Sequence, residues 1–104
     1  MRAGLVTLAA ALSIALVAPA SAETIKITIN KVAYAPVKIS VRVGDTIEWS
    51  NVDLVAHTST ARDKSFDLMI FPNRKQSLTV KKAGEFDYYC KFHPNMTGHI
   101  SVKP

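Results

Sequence analysis

The sequence has little cysteine, little glycine and no convincing helical pattern. Its 104 residues include one cysteine, one tryptophan and four glycines. One cysteine excludes a disulfide within the chain, and the short length excludes a large multidomain enzyme or a solenoid of several repeats. What remains to be explained is a single thiol and a formal net charge of +5.

The first 22 residues have the pattern of a secretory signal. Arg2 supplies a positive charge, Gly4 to Ala18 carry none, and Ala20-Ser21-Ala22 provides the small residues that a signal peptidase reads. The apolar stretch 4–18, of about 15 residues, is shorter than the roughly 20 that a membrane span needs, which disfavours an anchor. We therefore predict a signal peptide over 1–22, a mature domain over 23–104 and export to the periplasm. Because exported cysteines usually occur in pairs, we expect a lone one to be buried or bound to something.

From residue 23 onward the apolar residues alternate with a period of two, which is typical of half-buried antiparallel strands. With the turn signals between them, these segments predict about six to eight short strands in an all-β sandwich or barrel. Residues 58–71 lack the pattern, and we predict a loop there with at most one irregular edge strand. The alternating segments are 25–29, 39–43, 47–49 and 78–80.

Three residues with soft donor atoms lie close together near the C-terminus. Cys90, His93 and Met96 are each separated by two residues, Cys90 ends the predicted strand 86–90, and His57 lies far upstream after another strand. Pro94 fixes its own φ and disfavours helix at His93. A thiolate, two imidazoles and a weak thioether suit copper in an electron-transfer site. The spacing therefore predicts one copper ion, held by one remote and three local ligands.

Other interpretations of these residues remain open at this stage. Each residue alone is more often core filling or surface than a ligand, and the cysteine alone is compatible with a buried inert thiol. A Cys-His nucleophilic pair or a redox-sensing thiol without metal is a second class of function. Structural zinc is disfavoured because it usually takes paired cysteines. A periplasmic copper carrier is the alternative to an electron shuttle, although the chain has no cluster of exchangeable methionines and histidines.

The chain resembles the cupredoxins, the type 1 blue copper proteins, over nearly all of its mature length. The segments 34–51 and 84–98 carry the likeness, and the short Cys-x2-His-x2-Met loop is similar to that of the amicyanin branch. The resemblance implies a Greek-key β-sandwich with His57, Cys90, His93 and Met96 as copper ligands. It also implies that Asn51 ties the ligand loops together beside the cysteine. The chain departs from the family in a short segment between His57 and Phe71.

The resemblance also implies a role and a set of partners. We expect a monomeric electron carrier and not an enzyme, because all four positions around the metal are taken. The expected partners are a c-type cytochrome, a quinoprotein dehydrogenase or a copper reductase, docking on an apolar patch near His93, with Phe92, Pro94 and Asn95 around it. No nucleic acid or membrane insertion is expected, and His99 is not expected to be a ligand. Basic residues are predicted to form a collar that steers acidic partners: Arg62, Lys64, Arg74, Lys75, Lys81, Lys82 and Lys91.

Overall fold

A computed structural model describes residue 4 and residues 21–104 of the chain. The predicted signal peptide lies almost entirely outside the described residues. Within them the chain forms nine strands and no helix, so no helix in this part of the chain is long and apolar enough to cross a membrane. The strands form two facing sheets, which confirms the prediction of an all-β sandwich.

The two sheets contain four and five strands. The first sheet has the order β2-β1-β4-β7 and the second the order β3-β9-β8-β5-β6. The strands are β1 (Thr24–Ile29), β2 (Tyr34–Ala35), β3 (Lys38–Arg42), β4 (Thr46–Asn51), β5 (His57–Ala61), β6 (Asp67–Ile70), β7 (Lys75–Thr79), β8 (Gly84–Cys90) and β9 (His93–Lys103).

Two of the strand pairs are parallel, although the alternating pattern had predicted antiparallel pairing. Strand β1 pairs with β4 in parallel, and β3 pairs with β9 in parallel, while the other pairs are antiparallel. Parallel neighbours need a crossover between them. Here the crossover runs through the opposite sheet, since β3 lies between β1 and β4 in the sequence. An alternating pattern fixes which face of a strand is buried and says nothing about the direction of its neighbour.

The core lies between the sheets and is built from the alternating side chains. Strand β4 shows the pattern clearly, because Ile47, Trp49 and Asn51 are buried while the residues between them are half-buried. Trp49 packs edge-on against Tyr88 with 5.7 Å between ring centroids, and its indole N–H lies 3.4 Å from the Tyr88 hydroxyl. Burial raises the pKa of Tyr88 to about 12, so this phenol remains a neutral donor and acceptor in the core.

Gly98 lies inside β9 and not in a turn before it. Strand β9 starts at His93, and Gly98 sits opposite Tyr88 on β8. A Cβ placed on Gly98 would lie 2.3 Å from the nearest atom of the Tyr88 ring. The glycine is therefore required because the Tyr88 ring occupies the space that a side chain would need, and not because the chain turns there.

The segment 58–71 contains most of β5 and all of β6, so the prediction of a loop with at most one irregular edge strand is wrong by one strand. Strand β5 lies between β8 and β6 in the second sheet, and β6 forms the edge. All five residues of β5 are buried although four of them have polar side chains. The sequence pattern failed because both faces of β5 are covered, and hydroxyl groups satisfied by hydrogen bonds take the place of an apolar face.

One buried hydroxyl in β5 lacks such a hydrogen bond. Ser59 is fully buried, and within the described part of the chain its Oγ has no hydrogen-bond partner. A buried donor without a partner costs roughly 1–3 kcal/mol of folding free energy. We expect Ser59→Ala to raise the free energy of unfolding by about 1 kcal/mol, measured by urea denaturation. The exposed Ser77→Ala in β7 is the control and should stay within about 0.5 kcal/mol; equal effects in both variants would contradict this assignment.

Candidate metal centre

The four predicted ligands lie at one end of the sandwich. His57 is the first residue of β5, Cys90 the last of β8, and His93 the first of β9, with Met96 three residues further on. Because β8 and β9 are antiparallel neighbours, Cys90 pairs directly with His93, and a register shift between Tyr89 and Cys90 releases the chain into the ligand loop. Strand β5 lies beside β8 and brings the remote His57 to the same place.

Three of the donor atoms converge on one point. The Cys90 Sγ lies 3.8 Å from His57 Nδ1 and 3.7 Å from His93 Nδ1, and the two imidazole centroids are 5.0 Å apart. Metal bonds of about 2.0 Å to nitrogen and about 2.3 Å to sulfur, at a trigonal angle of about 120°, place nitrogen and sulfur about 3.7 Å apart. A tetrahedral angle gives about 3.5 Å with the same bond lengths. Both sulfur–nitrogen distances therefore suit one metal ion bound by the thiolate and the two imidazoles.

Burial divides the ligands into an enclosed group and one exposed member. His57 and Cys90 are fully buried and Met96 is 4% exposed, whereas His93 is half-buried. Met96 belongs to the buried cluster that contains Cys90, and with His93 it lines a surface depression. The site therefore opens to the protein surface along His93.

Asp53 is a functional residue that the sequence prediction missed. Its carboxylate accepts a hydrogen bond from His57 Nε2 at 2.8 Å, and the amides of Lys31 and Val32 donate to it at 2.7 and 3.0 Å. Partial burial alone raises the pKa of Asp53, but the Val32 and Lys31 amides and the His57 ring outweigh it, and the pKa lies below its usual value. With Nε2 carrying the proton, the Nδ1 lone pair of His57 is directed at the site. The only sequence signal was a carboxylate four residues before the histidine.

Asn51 connects a different part of the site than the family resemblance implied. Its amide donates to the carbonyls of Val55 and Ile70 at 2.8 and 3.0 Å, and its side-chain oxygen accepts from the Asp53 amide. These bonds hold the loop between β4 and β5 that leads to His57. The hydrogen bonds to Cys90 and its loop come from Thr58, which sequence reasoning had not identified.

His99 lies on the outer face of the second sheet, as predicted, and is not part of the site. Its Nδ1 lies 2.7 Å from Asp87 and its Nε2 lies 2.6 Å from Glu85, while Lys38 is its register neighbour on β3. Hydrogen bonds to Asp87 and Glu85 raise the pKa of His99 above its usual value of 6.5. The protonated ring is the form that the folded protein favours.

This pair of contacts predicts a pH dependence of stability. A group whose pKa is raised on folding stabilises the protein fully below its unfolded pKa, and that stabilisation is lost as the pH rises through the folded pKa. We expect the free energy of unfolding to fall by a small amount as the pH rises above about 6.5. Urea titrations between pH 5 and 9 should show this slope, and it should flatten in His99→Gln; an unchanged slope in that variant would contradict the role of His99.

Two imidazoles and a thiolate within reach of one ion, beside a buried thioether on a β-sandwich, define the site as a type 1 copper centre. The comparisons with known proteins agree with that class. The model of the cupredoxin-like domain matches residues 3–102, and the chain belongs to this family.

Relatives in the family include amicyanins from two bacteria. The chain is 32% identical to amicyanin of Paracoccus denitrificans over 87 residues, covering 76% of this chain and 65% of that protein. It is 25% identical to amicyanin of Paracoccus versutus over 88 residues, covering 79% of this chain and 67% of the relative. The match therefore spans about two thirds of the length of these relatives.

Solved structures of other copper proteins have a similar fold. The reduced state of an amicyanin mutant superposes with a TM-score of 0.67 at 34% identity, covering 77% of this chain and 82% of that one. A copper-containing nitrite reductase from Thermus scotoductus has a TM-score of 0.72 at 23% identity, covering 78% of this chain and 22% of the enzyme. The second likeness is one of fold alone.

Proposed function

We propose that this protein shuttles single electrons between partner proteins in the periplasm and does not itself turn over a substrate. The observation that carries the proposal is the convergence of the donor atoms of Cys90, His57 and His93 to within 4.8 Å of one another, with Met96 buried beside them. Copper bound by these donors supplies a one-electron couple. Four donors around one ion, from His57, Cys90, His93 and Met96, would leave no position for a substrate, which supports a carrier over an enzyme.

The fixed positions of the ligands support electron transfer. A carrier transfers electrons fastest when its donor atoms keep one arrangement in both oxidation states. This requires ligand side chains that are held in place by packing and by hydrogen bonds from neighbouring residues. The carboxylate of Asp53 fixes the His57 ring, and the Thr58 amide donates to Cys90 Sγ at 3.3 Å. Both ligands are also fully buried in the sandwich.

The surface around His93 supports docking of a partner there. Phe92, Pro94 and Asn95 line the depression beside His93, as the sequence predicted, and Val32 from the turn after β1 joins them. Phe92 is 54% exposed, and Leu54 and Phe71 at the same end of the sandwich are 90% and 59% exposed. Exposed apolar groups gathered at one end are typical of a protein contact surface. We propose that a c-type cytochrome, a quinoprotein dehydrogenase or a copper reductase docks there.

The basic residues do not form one collar around this surface. Arg74, Lys75 and Lys91 lie at the ligand end, but Lys75 is 3.8 Å from Glu48 and Lys91 is 2.7 Å from Asp67. The other predicted members lie at the opposite end, in the turns between β5 and β6 and between β7 and β8: Arg62, Lys64, Lys81 and Lys82. Steering of a partner toward His93 therefore rests on fewer charges than the sequence suggested.

Copper loading tests the proposal. Addition of Cu(II) to the domain 23–104 should give an intense visible absorption band from the thiolate and narrow copper hyperfine splitting in the EPR spectrum. Voltammetry should then show a fast, reversible one-electron wave. A colourless product with an oxidised Cys90 would overturn the proposal. A slow wave, with copper passed to a competing chelator within minutes, would instead identify a carrier.

A further inference from the structure

Among residues 21–104, Asp45 is the only acidic residue that is buried, with 7% of its surface exposed. It lies in the turn between β3 and β4, at the end of the sandwich opposite the ligands. Its amide donates to the Arg42 carbonyl at 3.0 Å, and its carbonyl accepts from the Val80 amide at 2.8 Å. The backbone on both sides of the side chain is therefore fixed, and the carboxylate has one position.

Both oxygens of this carboxylate accept a hydrogen bond from a backbone amide. Oδ1 accepts from the Glu23 amide at 2.9 Å, and Oδ2 accepts from the Arg42 amide at 2.8 Å. These amides, that of Glu23 most, hold the pKa of Asp45 below its usual value against the effect of burial, so the group is ionised at neutral pH. The ion pairs within the described part of the chain do not include Asp45. A buried carboxylate usually has a cationic partner, and this one has only amides.

The nitrogen that donates to Oδ1 belongs to the peptide bond that cleavage of the predicted signal would break. Hydrolysis of the bond between Ala22 and Glu23 consumes one water, leaves a carboxylate on Ala22 and leaves an ammonium group on Glu23. Residues 21–23 are exposed and lie before the first strand, so this bond is outside the packed sheets. The Glu23 carbonyl accepts from the Thr46 amide at 2.9 Å, which fixes the position of the residue beside β4.

We propose that Glu23 is the first residue of the exported protein and that its α-ammonium group forms an ion pair with the buried carboxylate of Asp45. Processing then supplies the missing cation at a nitrogen that the fold already holds within hydrogen-bond distance. A charge-assisted hydrogen bond is stronger than the amide bond that it replaces. Cleavage at an earlier bond would leave an amide at this nitrogen, and cleavage at a later bond would remove it. The inference rests on the predicted export and is independent of copper and of electron transfer.

The ion pair is tested by moving the charge along the chain. The full chain, exported by a bacterium and purified from the periplasm, should have the mass of a protein that begins at Glu23. All nine strands lie within 24–103, so the domain 23–104 and a longer form, 21–104, both contain the whole fold. The longer form keeps the amide hydrogen bond and displaces the charge by two residues. Its Tm, measured by circular dichroism at low salt, should be lower by about 4 °C.

Asp45→Asn should abolish this difference between the two forms, because the amide side chain carries no charge. Asp63→Asn is the matched control: Asp63 is an exposed aspartate in a turn at the same end, and its loss should leave the difference unchanged. If Asp45→Asn fails to fold, the rate of acetylation decides, since an ion-paired α-amine in 23–104 should react with acetic anhydride more slowly than the free α-amine of 21–104. An exported chain that begins elsewhere, equal Tm values or equal acetylation rates for the two forms, or a difference that persists in Asp45→Asn, would overturn the proposal.

Discussion

Cys90→Ser is expected to abolish the intense visible absorption of the Cu(II)-loaded protein. That absorption requires a thiolate bound to copper. A serine hydroxyl stays protonated near neutral pH and does not supply a soft donor atom. Loss of a residue that only hydrogen-bonds to a ligand weakens metal binding about 10–100-fold, so loss of the ligand itself should weaken it more than a hundredfold. Visible spectra and competition with a chelator of known affinity measure both effects.

The fold should survive this substitution, which makes the loss interpretable. Serine is slightly smaller than cysteine, and its hydroxyl accepts the hydrogen bond that the Thr58 amide now donates to sulfur. We expect the metal-free variant to unfold within about 1 kcal/mol of the unchanged protein. His99→Ala is the control, since His99 lies on the outer face of the second sheet. Retained colour in Cys90→Ser, or lost colour in His99→Ala, would refute the ligand set.

Gly98→Val is expected to destabilise the fold by about 3 kcal/mol, since overpacking a well-filled core costs roughly this much. The first carbon of any side chain at this position lies 2.3–2.5 Å from three atoms of Tyr88. The ring has little freedom to withdraw, because Tyr34 lies 4.6 Å and Trp49 lies 5.7 Å from it between centroids. For a domain of this size the loss corresponds to a fall in Tm of about 12–24 °C, measured by circular dichroism.

The matched control is Thr97→Val on the same strand, where the side chain is exposed. It should leave Tm within a few degrees, about the effect of a surface substitution. The contact with the ring is tested by a double variant, because Gly98→Val should cost less in a background of Tyr88→Leu. If Gly98→Val costs as much in that background, the clash with the ring is not the cause.

The sequence predicted those strands that have one buried face and one solvent-exposed face. Strands β1, β3 and β4 have that alternation, and their bounds agree with the segments 25–29, 39–43 and 47–49 within a few residues. Strand β5 lacks it because both of its faces are covered, and its hydroxyls hydrogen-bond to one another and to Asp67. Apolar and polar residues alternate along a strand only when one of its faces is buried and the other is exposed. A strand with both faces buried therefore cannot be predicted from alternation.

The candidate site also contains some residues that the sequence predicted and others that it did not. Cys90, His93 and Met96 were predictable because their donor atoms are chemically distinctive and their spacing is local. Asp53 and Thr58 were not, since an aspartate in a loop and a threonine after a histidine are common in any chain. Their roles arise only when the fold places Asp53 against His57 and Thr58 against Cys90.

The order of the strands also bears on how the protein behaves in crowded solution. Among residues 21–104 each sheet ends in two edge strands, β2 and β7 in one and β3 and β6 in the other. Strand β2 has two residues and is followed by Pro36, which has no amide hydrogen to offer. The other edges carry charged residues: Lys75 on β7, Lys38 and Arg42 on β3, and Asp67 on β6. Charged and shortened edges resist the addition of a foreign strand, so aggregation through the sheets is discouraged while the apolar end beside His93 stays open to transient contacts.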